Sequence, residues 1–300
     1  MPNLTTEPDL RGTFSIVTGG AKGIGLAASR AFARLGAHVL IASRDAAVGS
    51  AAAEKINREL GSNKIKWAFL DLASFASIRS FAQDIGSRAV DILVNNAGVM
   101  GGPLRRTKEG FEWQFGVNFI GPFLLSTLLA NNLAKGRNPR IVQLSSGAHR
   151  FSPFDFADPN FDDQRYDSDL AYQRSKTACA LLAVAFQARY GRLGIDAFSA
   201  SPGIVKTDLL NVMGRAAIER LLVDCASLVR TADQAAATIL YAATSPELAG
   251  KGGLYIEDCA PAKPASPDFP GGVMPHAVDP VAADRLWKLA ERYVQTPPRI

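Results

Sequence analysis

Tyr172 and Lys176 stand four positions apart in the stretch "AYQRSKTACA" (171–180). On a helix such residues share a face, with Cβ atoms about 6 Å apart, so both side chains enter the same space. A free phenol and a free ammonium are both poor proton carriers near pH 7. A cation about 5 Å from a phenolate, at an effective dielectric of about 20, stabilises it by roughly 3 kcal/mol. That is enough to make a tyrosine useful in proton transfer. The same spacing also decorates ordinary solvated helices, so its surroundings must decide.

A second constellation lies near the start. "TGGAKGIG" (18–25) directly follows the strand-like "FSIVTG" (14–19). Gly19, Gly23 and Gly25 let the backbone turn tightly and approach a pyrophosphate at the N-terminus of the next helix, with Lys22 and Ile24 in the same loop. The loop lacks the GK[ST] ending of nucleoside-triphosphate loops, which disfavours ATP or GTP hydrolysis. After the second strand comes "ASRD", where Ser43 and Arg44 occupy the place of the acid that binds the adenosine ribose of NAD. Arg44 with Lys22 favours a 2′-phosphate, hence NADP(H). Asp45, one position later, is expected to cap the following helix.

The elements that must position these residues alternate along the chain. Strand-like runs at 14–19, 38–43, 65–71, 91–96, 140–146, 195–203 and 252–258 are separated by helix-period segments. One long helix is expected over 107–133, and another carries Tyr172 and Lys176 to about 190. The expectation is an α/β fold, a parallel seven-stranded sheet doubly wound with helices on both faces. Its core spans about 14–258 of a single domain covering 1–300. "CAPAKPASPDFPGG" (259–272) should be irregular, and "DPVAADRLWKLAERYV" (279–294) should form a helix packing back on that domain.

At 300 residues and 47% hydrophobic the chain can bury a full core. The net charge of +5 is scattered, which favours an anionic ligand over nucleic acid. Cys179, Cys225 and Cys259 are far apart, with no ligand spacing for a metal and no disulfide framework. The N-terminus has no signal-peptide pattern, and no stretch reaches the roughly 20 apolar residues that span a bilayer. A cytoplasmic protein with no membrane partner is expected.

Taken in order, "TGGAKGIG" (18–25), "LDL" (70–72), "NNAG" (95–98), "VN" (117–118), "SS" (145–146), "YQRSK" (172–176) and "SPGIVKT" (201–207) resemble the short-chain dehydrogenase/reductase family, with its single NAD(P)-binding Rossmann-type domain. The resemblance implies that Tyr172 is the general acid in reduction and the base in oxidation. Lys176 would stabilise the phenolate and hold the nicotinamide ribose, and Ser146 would polarise the substrate carbonyl. Asn118 would interrupt its helix and hold a water linking Lys176 to solvent. Asp71 and Leu72 would flank the adenine, Asn96, Ala97 and Gly98 the adenosine ribose side. Val205 and Thr207 would fix the carboxamide. Read from the residues alone, Ser146 is also a strand-end hydroxyl, Asn118 a helix hydrogen-bonder, Asn96 to Gly98 a structural turn, and Asp71 and Thr207 caps.

Ser146 and Tyr172 are 26 positions apart, separated by an aromatic and acidic insert. With "GFEWQFGVNFIGPFLL" and "SSGAH", this resembles the retinol-dehydrogenase-like branch, and an apolar carbonyl or alcohol substrate is expected. The segment 208–230 falls where the family keeps its substrate lid; an ordinary core-facing helix is the other reading. Pairing through the helices near 107–133 and 170–190 would give a homodimer, unless the insert remodels that face and leaves a monomer. Two other functions compete: reduction of a C=C bond, and a catalytically silent NADP-binding regulator, against which the Ser146–Tyr172–Lys176 set argues.

Overall fold

The computed structural model describes residues 8–267 and 271–298. The first seven residues of the N-terminal expectation, and 268–270 of the Pro-rich segment, lie outside the described residues. The first half comprises β1 (Phe14–Thr18), α1 (Gly23–Arg34), β2 (His38–Ser43), α2 (Ala46–Leu60), β3 (Ile65–Phe69), α3 (Phe75–Ile85) and β4 (Ile92–Asn95). Next come α4 (Trp113–Phe115), a π-helical turn (Gly116–Ile120), α5 (Gly121–Leu128), α6 (Ala130–Leu133), β5 (Arg140–Leu144), α7 (Ser168–Tyr190) and β6 (Asp196–Ser201). The chain continues through β7 (Ile204–Val205), α8 (Arg215–Asp224), β8 (Val229–Arg230), α9 (Ala232–Thr244), β9 (Tyr255–Glu257), β10 (Ala260–Pro261) and α10 (Pro280–Gln295).

The main sheet has eight strands in the order β10-β9-β6-β5-β4-β1-β2-β3. All its pairings are parallel except β10 with β9. β1, β4 and β5 are buried along their whole length, which is why their sequences show apolar runs without alternation. The strand order reverses between β4 and β1, opening a crevice at their carboxyl ends, where open α/β sheets bind ligands.

Two expectations need correction. The eighth strand, β10, lies in the Pro-rich segment expected to be irregular, and its two residues pair antiparallel at the sheet edge. Pro261 is tolerated there because an edge strand need not donate on both sides. The expected helix over 107–133 does not form as one element. Arg106 and Glu112 bridge across a turn containing Gly110 (φ 86°), and helix begins only at Trp113, where the Glu112 carboxylate accepts from the Gln114 and Phe115 amides. The π-helical turn then interrupts it, and Leu129 separates α5 from α6.

α10 starts at Pro280 behind the Asp279 cap and buries Ala283, Leu286, Trp287 and Ala290. The Trp287 ring meets Phe123 of α5 at 4.8 Å and Phe186 of α7 at 5.1 Å. An indole buries roughly 150–250 Å², a gross gain of about 4–6 kcal/mol. The chain's own last helix therefore covers part of the α5–α7 face on which pairing with a second copy was expected. Among the described residues no helix is long and apolar enough to cross a membrane, and no His/Cys/Asp/Glu group could hold a metal ion.

Candidate active site

The glycine loop forms a cradle that only small residues permit. Gly19 and Gly23 have φ of 64° and 51°, and a Cβ on Gly25 would lie 2.3 Å from the Gly19 carbonyl. The Gly19 amide donates to Ala42 O at 2.8 Å, tying the loop to the end of β2. The Asn96 side chain braces it from the other side, donating to Thr18 O at 2.8 Å, while the Ala97 amide donates to Thr18 Oγ1 at 3.0 Å. Thr207 makes no capping bond with its side chain; its Cγ2 would lie 3.2 Å from a Cβ on Gly23. The first turn of α1 is left open, with Lys22 at its N-cap and no side chain capping it. A cradle of this shape, at a helix N-terminus, fits the pyrophosphate of a dinucleotide.

Around the cradle the remaining residues sort themselves. Lys22 and Arg44 are exposed, and neither side chain has a hydrogen bond or ion pair among the described residues. Ser43 Oγ accepts from Trp67 Nε1 at 2.9 Å, and Asp45 caps α2 through the Val48 amide at 3.0 Å. Ile24 is half-buried against the core beneath α1. Asp71 Oδ1 accepts from the Ala73 amide at 3.0 Å, and the Leu72 side chain is buried in the core. That leaves the backbone of Leu72 for any contact with a cofactor. Val205 pairs with Arg230 in the small β7–β8 ladder.

Tyr172 and Lys176 project from α7 as their spacing implied. The Lys176 Nζ lies 5.6 Å from the Tyr172 ring centroid, and the residue is only 5% exposed. Its ammonium donates to Leu144 O at 3.2 Å, at the end of β5. An ammonium carries three donors, so two remain for a ligand. The space beside it exists because residue 98 has no side chain: a Cβ there would lie 3.5 Å from Lys176 Nζ and 3.3 Å from Asn118 Oδ1. Ser146 Oγ accepts from the Ala148 amide at 3.2 Å, which leaves its own proton free to be donated. Ser145, the first of the pair, is buried and donates to Lys176 O at 2.8 Å, fastening β5 to α7.

Asn118 sits in the π-helical turn, with its side-chain amide pairing with both backbone groups of Val99 and donating to Ser175 Oγ at 3.0 Å. Its carbonyl faces Pro122, four residues on, which has no N–H to complete a helical bond. That carbonyl accepts instead from Cys179 Sγ at 3.1 Å and Gln143 Nε2 at 3.3 Å. Gln143, Ser175 and Cys179 were not foreseen as supports of the site; Pro122 at i+4 of Asn118 was the available signal.

Sequence reasoning assigns His149 no role: it belongs to "SSGAH" and is one of three dispersed histidines. It is fully buried, and its Nδ1 lies 2.7 Å from Ser146 O while the Met274 amide donates to Nε2 at 3.2 Å. A carbonyl only accepts and an amide N–H only donates, so the imidazole is neutral with its proton on Nδ1. Burial pushes its pKa from 6.5 down to about 4, against the Ser146 carbonyl that favours the charged form. Above about pH 6.5 it is neutral in both folded and unfolded chains. Between 6.5 and 4 only the unfolded chain binds the proton, so stability falls as pH falls through that window, by about 2.5 kcal/mol at pH 4.5. Urea titrations at pH 7 and 4.5 should show wild type losing about that much more than His149→Asn. Equal losses would contradict the assignment.

The insert after Ser146 braces this wall. Asp158 accepts from the amides of Asp162, Asp163 and Gln164, which holds the loop closed. Asn160 Oδ1 accepts from the Glu112 amide at 3.0 Å, and Tyr166 donates to the Glu112 carboxylate at 3.0 Å. Burial raises the Glu112 pKa. Beyond Thr207, α8 buries none of its residues, so it is not a core-facing helix; Val212 and Val223 are 55% and 75% exposed. The segment is fastened at its far end. The Arg230 guanidinium forks onto Asp258 at 2.8 and 2.6 Å and donates to Ser227 O at 2.7 Å. Asp258 and Cys259 both have positive φ, 48° and 58°, conformations that need such support. Discounted for exposure, loss of this fork costs about 1 kcal/mol locally, so Arg230→Ala should speed limited proteolysis within 208–228 about fivefold. An unchanged cleavage rate would show that the fork does not restrain the segment.

Comparison with known proteins bears on this geometry. The family model described as short chain dehydrogenase matches residues 14–217. Over 293 residues the chain is 40% identical to a probable oxidoreductase of Streptomyces lividans, covering 93% of this chain and 97% of that protein. Retinol dehydrogenase 13 of Homo sapiens is 36% identical over 98% of this chain and 87% of its own length. A crystal structure of an uncharacterized protein from Mycobacterium paratuberculosis superposes with a TM-score of 0.76 at 30% identity, covering 99% of this chain and 98% of the other. The chain belongs to the short-chain dehydrogenases, oxidoreductases that bind a nicotinamide cofactor, and within them to the retinol-dehydrogenase-like branch.

Proposed function

We propose that this protein is an NADP(H)-dependent oxidoreductase acting on the carbonyl or alcohol carbon of apolar aldehydes, ketones or alcohols. The observation that carries the reading is the buried Lys176 ammonium, one hydrogen bond spent on Leu144 O, lying beside the Tyr172 ring and open toward Gly98. A buried cation with donors to spare suits a polar ligand such as the nicotinamide ribose. Gly19, Gly23 and Gly25 would hold the pyrophosphate, with Asn96, Ala97, Gly98, Asp71 and Leu72 toward the adenosine and Val205 and Thr207 toward the carboxamide. The chemistry such a cofactor supplies when bound is hydride transfer. Tyr172 gives its phenolic proton to the substrate oxygen in reduction and takes it back in oxidation. Ser146 donates a hydrogen bond to that oxygen as its negative charge grows, and Lys176 stabilises the phenolate left on Tyr172. Asn118 ties the loop at Val99 to α7, through the Ser175 and Cys179 side chains, around these groups.

The cofactor preference rests on Lys22 and Arg44, both exposed and without a protein partner among the described residues. The substrate reading rests on the exposed apolar side chains of the 208–228 segment, with Val212 reaching toward Gly101. The name of the human relative, a retinol dehydrogenase, points to an apolar alcohol. The reading also takes residues 1–300 as a single domain, in the cytoplasm, where three unpaired thiols are at home.

A panel of aldehydes, ketones and alcohols, followed by NADPH absorbance with product analysis, tests the reading. Bulky hydrophobic carbonyls should exceed short charged ones in kcat/KM by about tenfold or more, since each buried methylene is worth about 1 kcal/mol or more. A panel won by small charged ketones would reject the apolar substrate. Products with a reduced C=C bond and an intact carbonyl would reject the carbonyl chemistry.

A further inference from the structure

We propose that His149 is a positioning residue for Ser146, and that it makes the C-terminal segment 271–277 part of the support of the active site. The inference rests on the reading of Ser146 as the donor to the substrate oxygen.

Beyond β5 the sheet stops holding the chain. The Ser145 amide donates to Ala200 O at 2.9 Å, and Ser146 then turns away in extended conformation (φ −165°, ψ 155°) into a 3₁₀ turn (Gly147–Phe151). Among the described residues the Ser146 carbonyl is held there by His149, through its backbone amide at 3.1 Å and Nδ1 at 2.7 Å. That carbonyl fixes the Ser146–Gly147 peptide plane, and with it the direction in which Oγ points. Gly147 offers no side chain to restrain the same rotation.

The imidazole is in turn held on every side. Tyr255 of β9 places its hydroxyl 3.2 Å from Nδ1, with ring centroids 4.8 Å apart. The Met274 amide closes off Nε2. The His149 carbonyl accepts from Thr177 Oγ1 at 3.2 Å, next to Lys176 on α7, and from His276 Nε2 at 2.9 Å. Both ring nitrogens are thus committed and the residue is fully buried, so it has no route to substrate. Its effect must pass through Ser146.

The segment that supplies Met274 and His276 is itself fastened to the same turn. The Gly272 amide donates to Glu257 Oε2 at 2.7 Å, and Arg150 donates to the carbonyls of Ser266 and Gly271. His149 therefore joins four parts of the chain that are distant in sequence: the β5 end, α7, β9 and the C-terminal segment. Sub-ångström errors in a donor's placement cost turnover more than binding, because the donor matters most when charge develops.

Two isosteres separate the donor from the acceptor. An Asn amide nitrogen can take the place of Nδ1, whereas a Gln amide reaches the place of Nε2. In the full chain, with an established carbonyl substrate, His149→Asn should keep kcat within about threefold of wild type and His149→Gln should lose about tenfold or more. NADPH affinity, read by fluorescence titration, should stay within about twofold in both. Met274→Pro removes the N–H that faces Nε2 at a residue whose φ of −77° already suits proline. It should lower kcat several-fold with the same unchanged cofactor affinity, and it decides the matter if His149→Gln does not fold. Equal turnover of the Asn and Gln variants, or wild-type turnover of Met274→Pro, overturns the proposal. Ser146→Ala separates the two levels. If it retains wild-type turnover, the reading of Ser146 itself fails; if it is inactive beside a fully active His149→Gln, only the role of His149 fails.

Discussion

Tyr172→Phe is expected to lower kcat by at least about 100-fold, the usual scale of general acid catalysis, while NADPH affinity stays within about twofold. The change deletes one hydroxyl and keeps the ring, so the space beside Lys176 is filled as before. The helix that carries it does not depend on the phenol. α7 is capped by Asp167 through the Asp169 and Leu170 amides, at 2.9 and 3.0 Å, and it is fastened to β5 by Ser145 and by Lys176 itself. The Ser175 hydroxyl donates to the Tyr172 carbonyl rather than to its side chain, and that bond survives too. Single-turnover rates with saturating NADPH, beside a binding titration, separate the two effects. Adding Ser146→Ala to Tyr172→Phe should cost far less than the product of the two single losses, because both groups act on one oxygen. Turnover within a few-fold of wild type for Tyr172→Phe would remove it from the proton-donor role.

How much of this was legible depends on how local its cause is. The glycine cradle could be read from sequence because positive φ and close approach admit almost nothing else at Gly19, Gly23 and Gly25. The Tyr172–Lys176 pair could be read because helical spacing alone brings the two together. The helix over 107–133 was misjudged for the opposite reason. Apolar residues run through "FIGPFLL" at helical period, and periodicity does not register a π-helical turn that a missing N–H at Pro122 favours. β10 escaped notice because two residues at a sheet edge are strand only by virtue of pairing with β9. His149 is the extreme case: Tyr255 and Met274 stand 106 and 125 positions away, so no local spacing could report what its ring touches. Arg44 lies at the other limit, where the residue is obvious in the sequence and its side chain has no partner among the described residues.

Cofactor choice should turn on that residue. Arg44 follows β2 at the crevice where an acid would select NAD, and Gly19 bonds to Ala42 in the same corner, with Lys22 three residues along the loop. Among the described residues neither cation is drawn off by a carboxylate: Asp45, the obvious competitor, spends its side chain capping α2. A 2′-phosphate placed there gains charge-assisted hydrogen bonds worth roughly 1.5–3 kcal/mol each, partly offset by desolvation. Two such contacts should favour NADPH over NADH by at least about tenfold in affinity, even if most of the gross energy is lost. Both side chains are exposed, so added salt should screen the interaction and shrink the preference. Arg44→Asp should reverse the preference, because it sets a carboxylate against the phosphate and offers the ribose hydroxyls of NADH an acceptor. Lys22→Ala, which removes one cation and adds no repulsion, should lower NADPH affinity about fivefold and leave NADH nearly untouched. Titrating wild type and both variants with each cofactor at two salt concentrations provides the measurement. Equal or tighter NADH binding by the wild type would mean that Arg44 and Lys22 serve solvent rather than the cofactor.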